Sequence, residues 1–481
     1  MGIPSVIMIK SLLAAAALAS SVAFAADQRQ FGALHTRNMA SAERGLPASV
    51  AVEQGKGVLW RVDLGTESYA TPVVAGDRVY IGTNNERPRD PKVTGDRGVL
   101  LCLSAATGAF RWQVTAPKRS ESPYLDWPRT GMVAPPSVEG DRIYVVTNRD
   151  EVVCLRMDGT RVWSTDLVAQ AGVHPHDQSH GSPLIDGPYL YVNTSLGVDD
   201  RHLQTPTLDA PALVVLEKAT GRIVARNPER LGPNTIHCNW SPPALVSVGG
   251  RKLVVLGGGD GICYAYKALL HASAGKPQQG VADLEQAWRF DCDPEAPKSD
   301  IFRWQENRKE GPSTILSAPV VHNGKVYVTA GGDPWHGKPW SWVKCIDPSG
   351  SGDITKSGEL WSARLDAYAM STPAIADGLL YTADWAGVVH CLDLATGKTV
   401  WKHQMDGEIW SSTLVADGKV YIATRKGELA ILAAGRTSRV LCSDRLDGPV
   451  SGAPVAADGK VYIATMRSLY ALGATPAGKR R

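Results

Sequence analysis

The chain has 481 residues, of which 43% are hydrophobic and 21% charged, and its 51 basic and 48 acidic side chains give a formal charge of +3. That balance leaves no basic stripe, so nothing points to nucleic acid or to an anionic membrane surface as partner. The length allows several domains or one large closed repeat.

The first element reads as a leader. Lys10, the apolar run from Leu12 to Ala19 and then Ala23-Phe24-Ala25 follow the order of a charged start, a short apolar core and a small-residue cleavage site. Residues 1–25 are therefore expected to be removed and the mature chain to start near Ala26, in the periplasm or outside the cell, with Met8 as an alternative start. No later stretch reaches the roughly 18 to 20 apolar residues of a spanning helix, and no Cys-x-x-Cys-His run offers a haem attachment.

After an N-terminal extension over 26–57, one unit recurs. It begins with a small residue and Pro before an apolar run, passes a Gly turn into a Val-Tyr-Ile-like strand, then a Cys-Leu-Asp-like strand, a Thr-Gly turn and a strand carrying Trp. The clearest copy runs from Ser371-Thr372-Pro373 through Cys391-Leu392-Asp393 and Thr396-Gly397-Lys398 to Trp401. Its opening recurs at Thr71-Pro72, Pro135-Pro136, Ser182-Pro183, Ser241-Pro242, Ala318-Pro319, Ser412-Thr413 and Ala453-Pro454, which makes eight units. Short alternating β-branched and aromatic runs bounded by Gly, Asp and Asn are half-buried antiparallel strands, and four strands per unit make a propeller blade. The expected fold is all-β, an eight-bladed propeller over 58–473 with residues 474–481 as a disordered tail. Val58 to Val62 is a Trp strand with no unit before it, and Ser468 to Leu472 is a third strand with no Trp strand after it. The N-terminal strand should therefore close the ring. Trp60, Trp112, Trp163, Trp288, Trp361 and Trp401 all fall on outer strands and are read as wedges between blades. Of the eight cysteines, Cys102, Cys154, Cys345 and Cys391 occupy one repeated strand position and read as small buried hydrophobes. Cys238, Cys263, Cys292 and Cys442 are left as possible disulfide partners, Cys238 with Cys263 first.

Asp393-x-x-Thr396-Gly397-Lys398-x-x-Trp401, with weaker copies at 104–112 and 217–224, resembles the docking repeat of pyrroloquinoline-quinone (PQQ) propellers, and the resemblance covers about residues 31–473. It implies two very different activities. Quinoprotein dehydrogenases hold PQQ and usually Ca²⁺ at the channel mouth, whereas the outer-membrane assembly propeller is a scaffold without cofactor. Gly82-Thr83-Asn84-Asn85, Leu125-Asp126-Trp127-Pro128 and Cys238-Asn239-Trp240-Ser241-Pro242 look most like a third branch of exported PQQ-like repeat proteins of unassigned activity. Fold follows from such a likeness; function must come from the site.

One face should carry that site. Turns such as Ala75-Gly76-Asp77 and Asn323-Gly324 are short, while the opposite connections, 84–98, 115–133, 168–181, 195–211, 231–240, 291–315 and 331–342, are long. Those loops hold His174, His176, His180, His202, His237 and His336, and Trp127, Trp240, Trp304, Trp335, Trp340, Trp342, Trp385 and Trp410 fall on the same face. His174, His176, Asp177 and His180 supply four potential metal ligands in seven residues. His237, Asn239 and Trp240 lead into the fourth inner strand, beside the Gly257 to Gly261 connection that contains Asp260. If the quinoprotein likeness holds, it implies Asn239 on Ca²⁺, Asp260 as general base and Trp240 or Trp385 stacked on PQQ, with His237, Trp410 and Arg129 in the cofactor site. Arg303, Arg425 and Arg467 are further arginines on that face. No adjacent cysteines offer the vicinal disulfide of quinoprotein alcohol dehydrogenases. The expected function is binding of a small polar molecule or sugar at the loop-rich face, with PQQ-dependent oxidation of alcohols or sugars as its enzymatic form. The alternatives are an envelope scaffold that binds proteins and a metal-assisted lyase or hydrolase built on the 174–180 loop.

Overall fold

In the computed structural model, which describes residues 27–120, 125–270 and 280–474, each of the eight repeats forms one antiparallel sheet. The leader lies outside the described residues, as do 475–481 of the tail. Blade 1 runs through Val73–Ala75, Arg78–Asn84, Arg97–Ser104 and Phe110–Pro117 from the channel outward. Blades 2 to 7 repeat it. Blade 8 combines Val455–Ala457, Lys460–Ala464 and Ser468–Gly473 with Val58–Asp63 from the other end of the chain, Trp60 pairing with Ala471. The ring thus closes as the unpaired strands require. Short parallel fifth strands, Ala282–Asp283 and Gly352–Asp353, extend blades 3 and 4 outward.

Local chemistry explains the hairpins. Asn323-Gly324, Asp377-Gly378, Asp417-Gly418 and Asp458-Gly459 all have positive φ at both central positions, the geometry of the type I′ turns that match strand twist. Second and third strands are buried along nearly their whole length, because neighbouring blades cover both of their faces. The apolar clusters accordingly mix residues of adjacent blades, such as Tyr80 and Leu100 with Ile143 and Val153. Each such side chain contributes about 1.5–3 kcal/mol through burial.

Five of the six Trp strands hold the blades together as expected, while Trp288 is fully buried with no hydrogen-bond partner for its Nε1–H. Trp60, Trp112, Trp163, Trp361 and Trp401 each donate Nε1–H to a carbonyl at the third turn of the next blade, at 2.8–3.2 Å. Each also leans on a Tyr of its own blade, as in Tyr381–Trp401 at 5.9 Å. At Gly397, with φ of +69°, a Cβ would stand 2.4 Å from the Trp361 ring, so the Thr-Gly turn needs its glycine. All eight cysteines are free thiols, with Cys102, Cys154, Cys345 and Cys391 buried in their strands. Cys238 and Cys263 are not joined.

The N-terminal extension does more than lead into the ring. Residues 27–46 cross the channel at the short-turn face and present acceptors to the free edges of the innermost strands. Val74, Val138, Leu245, Val321 and Val415 donate their N–H to the carbonyls of Gln28, Arg29, His35, Thr36 and Met39, and Ile375 donates to Asn38 Oδ1. Ala40–Ser41 adds a parallel strand to blade 7. Arg37, fully buried, anchors the crossing through the carbonyls of Phe31, Ser182 and Pro243. Six inner edges, which a propeller otherwise leaves unpaired, are satisfied in this way.

Candidate functional site

With one end strapped, the channel is a pit that opens on the long-loop face. A cavity of about 710 Å³ occupies it. Phe31 of the strap lines it together with residues that lead into the inner strands, among them Thr71, Pro135, Pro242, Thr372 and Ser412. Its walls are aromatic: Tyr69, Trp127, Trp240, Trp335 and Trp410. Trp410 lies against Trp385 with ring centres 4.8 Å apart, and Trp335 stands edge-on to Trp240, Trp385 and Trp410 at 5.6–6.1 Å. Polar groups gather on one side, where Asp177, Gln178, His180, Asp200, His202, His237 and His336 face the cavity.

Four loops bring the imidazoles together. His176 lies 4.6 Å from His202 and 4.9 Å from His237 between ring centres, and His336 lies tilted against His202 at 4.6 Å. His237 is held between two carboxylates, with Nδ1 3.0 Å from Asp333 Oδ2 and Nε2 3.8 Å from Asp177 Oδ2. Asp333 is itself fixed by the N–H groups of Trp335 and His336. Three residues here, Asp177, Ser195 and His202, have positive φ without being glycine, strain of the kind that packed sites retain.

Electrostatics divide the cluster. Burial lowers His176 to about 3 and His180 and His336 to about 4, and it also lowers His174 and His202, so these rings are neutral near pH 7. His237 goes the other way: burial works against its charge, but Cys238, Asp333 and Asp177 together raise it. Burial opposes ionisation of Asp177 and Asp333 too, yet the bonds and charge of His237 hold both below the usual carboxylate range.

The residues singled out in the sequence divide in place. His237, Trp240, Trp410, Asp177 and His180 line the cavity, Trp385 backs Trp410, and His176 sits behind His202 and His237. His174 stays outside the imidazole cluster. Asn239 and Asp260 are not brought to the cavity. Asn239 ties Leu196 O, Thr235 Oγ1 and Gly259 N together, and Asp260 closes its own turn through Tyr264 and Ile262, with burial pushing its carboxyl up to about 6. Arg129, Arg303 and Arg467 are exposed at the surface. Arg425 lies behind the aromatic wall, 4.4 Å from the Trp410 ring centre and bonded to Ser451 Oγ. Sequence reasoning missed Tyr69 and Phe31 as wall residues and Asp333 as the carboxylate behind His237, and did not join His202 and His336 to the loop at 174–180. The missed residues come from separate segments far apart in the chain, so no local spacing announces them.

The turn under the 174–180 loop carries a testable charge. Asp150, with φ of +58°, is fully buried, and burial pushes its carboxyl up to about 8 against the opposing pull of Ser179 and Arg119. A carboxyl raised in the folded state stabilises most below its unfolded value and loses that contribution as pH rises through the folded one. Asp150→Asn, which tolerates the same backbone conformation, should therefore raise the melting temperature by an increment that grows from about pH 5 to about pH 8. An increment independent of pH in thermal melts would contradict this.

These walls bear directly on PQQ. It carries three carboxylates, which a protein site meets with Arg or Lys. Among the described residues the cavity lining holds neither, and it supplies Asp177 and Asp200 instead. The residues present do not fit the quinone.

Comparison with known proteins follows the fold. A family model described as outer membrane protein assembly factor BamB matches residues 48–269, 340–441 and 386–476. BamB from Moraxella catarrhalis superposes with a TM-score of 0.56 at 12% identity, over 86% of this chain and 98% of that one. The quinohemoprotein alcohol dehydrogenase ADHIIG from Pseudomonas putida HK5 gives 0.62 at 12% identity, over 93% and 80%. The computationally designed Ika8 protein gives 0.54 at 10% identity, over 86% and 99%. A search of curated proteins finds no match. At these identities the solved structures speak to the propeller and not to its chemistry.

Proposed function

The chain belongs to the family of outer membrane protein assembly factor BamB, and on that premise we propose that its strapped channel is a binding site for a neutral carbohydrate in the cell envelope. One observation carries the reading: the cavity pairs flat aromatic walls with His, Asp, Gln and Ser groups and has no lining Lys or Arg among the described residues. Aromatic faces take the C–H face of a pyranose, and the polar side is suited to its hydroxyls. Anionic ligands, PQQ among them, meet carboxylates there. The leader read in the sequence supports export to the periplasm, and among the described residues no helix is long and apolar enough to cross a membrane.

The test is a tryptophan-fluorescence and calorimetric titration of the mature protein with neutral mono- and oligosaccharides and, separately, with PQQ with and without Ca²⁺. Saturable quenching near one neutral sugar per chain, with PQQ inert, is the expected result. Stoichiometric PQQ binding would restore the quinoprotein reading. An envelope scaffold is the second reading, favoured by the family and by Leu203 and Leu208, which are 57% and 44% exposed on a long loop. It expects envelope proteins to be retained by the immobilised chain and lost on Leu203→Asp.

A further inference from the structure

We infer that His176, His202 and His237, with Asp177, form a binding site for one divalent first-row transition cation, the zinc class, in the wall of the channel cavity. The placement differs from a linear motif on the 174–180 loop. It takes two neighbours from that loop, one residue from the loop at 195–211 and one from the loop at 231–240.

The three imidazoles and their ligand atoms converge, with one nitrogen of each ring within 4.8 Å of the others. Around a tetrahedral ion with bonds of about 2.0 Å, ligand atoms stand about 3.3 Å apart, so a small inward movement closes the set. The orientation of the rings gives the stronger reason. His176 places Nδ1 3.0 Å from the carbonyl of Val198, which can only accept, so that nitrogen carries the proton and Nε2 carries the lone pair. That lone pair faces another acceptor, Asp177 Oδ1, at 3.4 Å. His237 is turned the same way, Nδ1 to Asp333 Oδ2 at 3.0 Å and Nε2 toward Asp177 Oδ2 at 3.8 Å, and a metal ion would displace the proton on Nε2. Nδ1 against a carbonyl or carboxylate, with Nε2 turned to the shared centre, is how metal-bound histidines are oriented. His176 Nε2 and Asp177 Oδ1 are thus two buried acceptors turned to one another, and a cation between them would satisfy both. His202 adds a third ring, whose Nδ1 is buried without a hydrogen-bond partner. Three imidazoles and one carboxylate suit zinc and its neighbours in the first row and not calcium, which takes oxygen ligands. Asp177, His202 and His237 all line the cavity, so a remaining coordination position would open toward the bound ligand.

The test uses untagged mature protein stripped with EDTA, titrated with Zn²⁺ by calorimetry and with Co²⁺ by visible absorption. One ion per chain is expected, with the intense visible bands of low-coordinate cobalt. His202→Ala removes a partly exposed ligand and should weaken Zn²⁺ binding by about 100-fold or more while leaving the melting temperature of the stripped protein unchanged. Asp177→Asn should weaken it as well. Failure of the folded, stripped protein to bind either ion saturably, or equal Zn²⁺ affinity in wild type and both variants, overturns the site. The sugar reading fails separately: stripped protein that takes up Zn²⁺ but no neutral sugar leaves the metal site standing.

Discussion

Arg37→Ala is expected to lower the stability of the propeller by roughly 4 kcal/mol and to release the strap from the channel. The guanidinium is wholly buried and donates to Pro243 O at 2.8 Å, Ser182 O at 2.9 Å, Phe31 O at 3.0 Å and Ser182 Oγ at 3.4 Å. Burial lowers it to about 9, so it remains charged at neutral pH. Truncation strands the buried carbonyls of Ser182 and Pro243 and opens a void beside them, the two mechanisms behind large single-residue losses. Lysine cannot substitute, because one ammonium on a flexible stem does not span three acceptors held by separate segments. Amide exchange gives the specific readout: Val74, Val138, Leu245, Val321 and Val415, which donate to the strap, should exchange faster in the variant than the amides of the second strands. A small loss of stability with unchanged protection at those five amides would show that the strap is held by its backbone bonds alone.

The strap also marks where the sequence stops being legible. Blades could be counted because each hairpin announces itself through a local turn and a two-residue alternation, and the docking tryptophans because their Thr-Gly partners recur at fixed spacing. Val58 to Val62 even revealed ring closure by lacking a partner. Residues 27–46 show no such period. Their role depends on meeting all eight blades at once, and the one clue, Arg37, looks like the surface arginines Arg29 and Arg44 beside it. The site divides in the same way. His174, His176, Asp177 and His180 are conspicuous because they are adjacent, yet the fold separates them: His176 and Asp177 meet His237, while His180 lies on Trp240 with ring centres 4.2 Å apart. Asp260 drew attention as an acid among glycines, and those glycines explain it as a turn, since a Cβ at Gly258 would come 2.2 Å from its Oδ1.

Two tryptophan substitutions should separate ligand binding from folding. Trp410→Ala is expected to weaken binding of a neutral sugar by about 100-fold, the scale of a central aromatic anchor, with little change in melting temperature. Trp401→Ala should do the reverse, because its ring packs on Tyr381 and its Nε1–H holds Gly435 O at 2.8 Å across a blade interface. The first variant has a further consequence. Trp410 covers the guanidinium of Arg425, which sits 4.4 Å from the ring centre and is bonded to Ser451, a cavity-lining residue. Removing the ring exposes a fixed cation at the wall, so selectivity should shift toward anionic sugars as neutral ones are lost. Calorimetry with a neutral sugar and its uronic acid on both variants measures this. Equal affinity losses in Trp410→Ala and Trp401→Ala would mean that the aromatic wall serves packing alone. Loss confined to Trp410→Ala, with the uronic acid gaining, would tie ligand choice to the ring that hides the arginine.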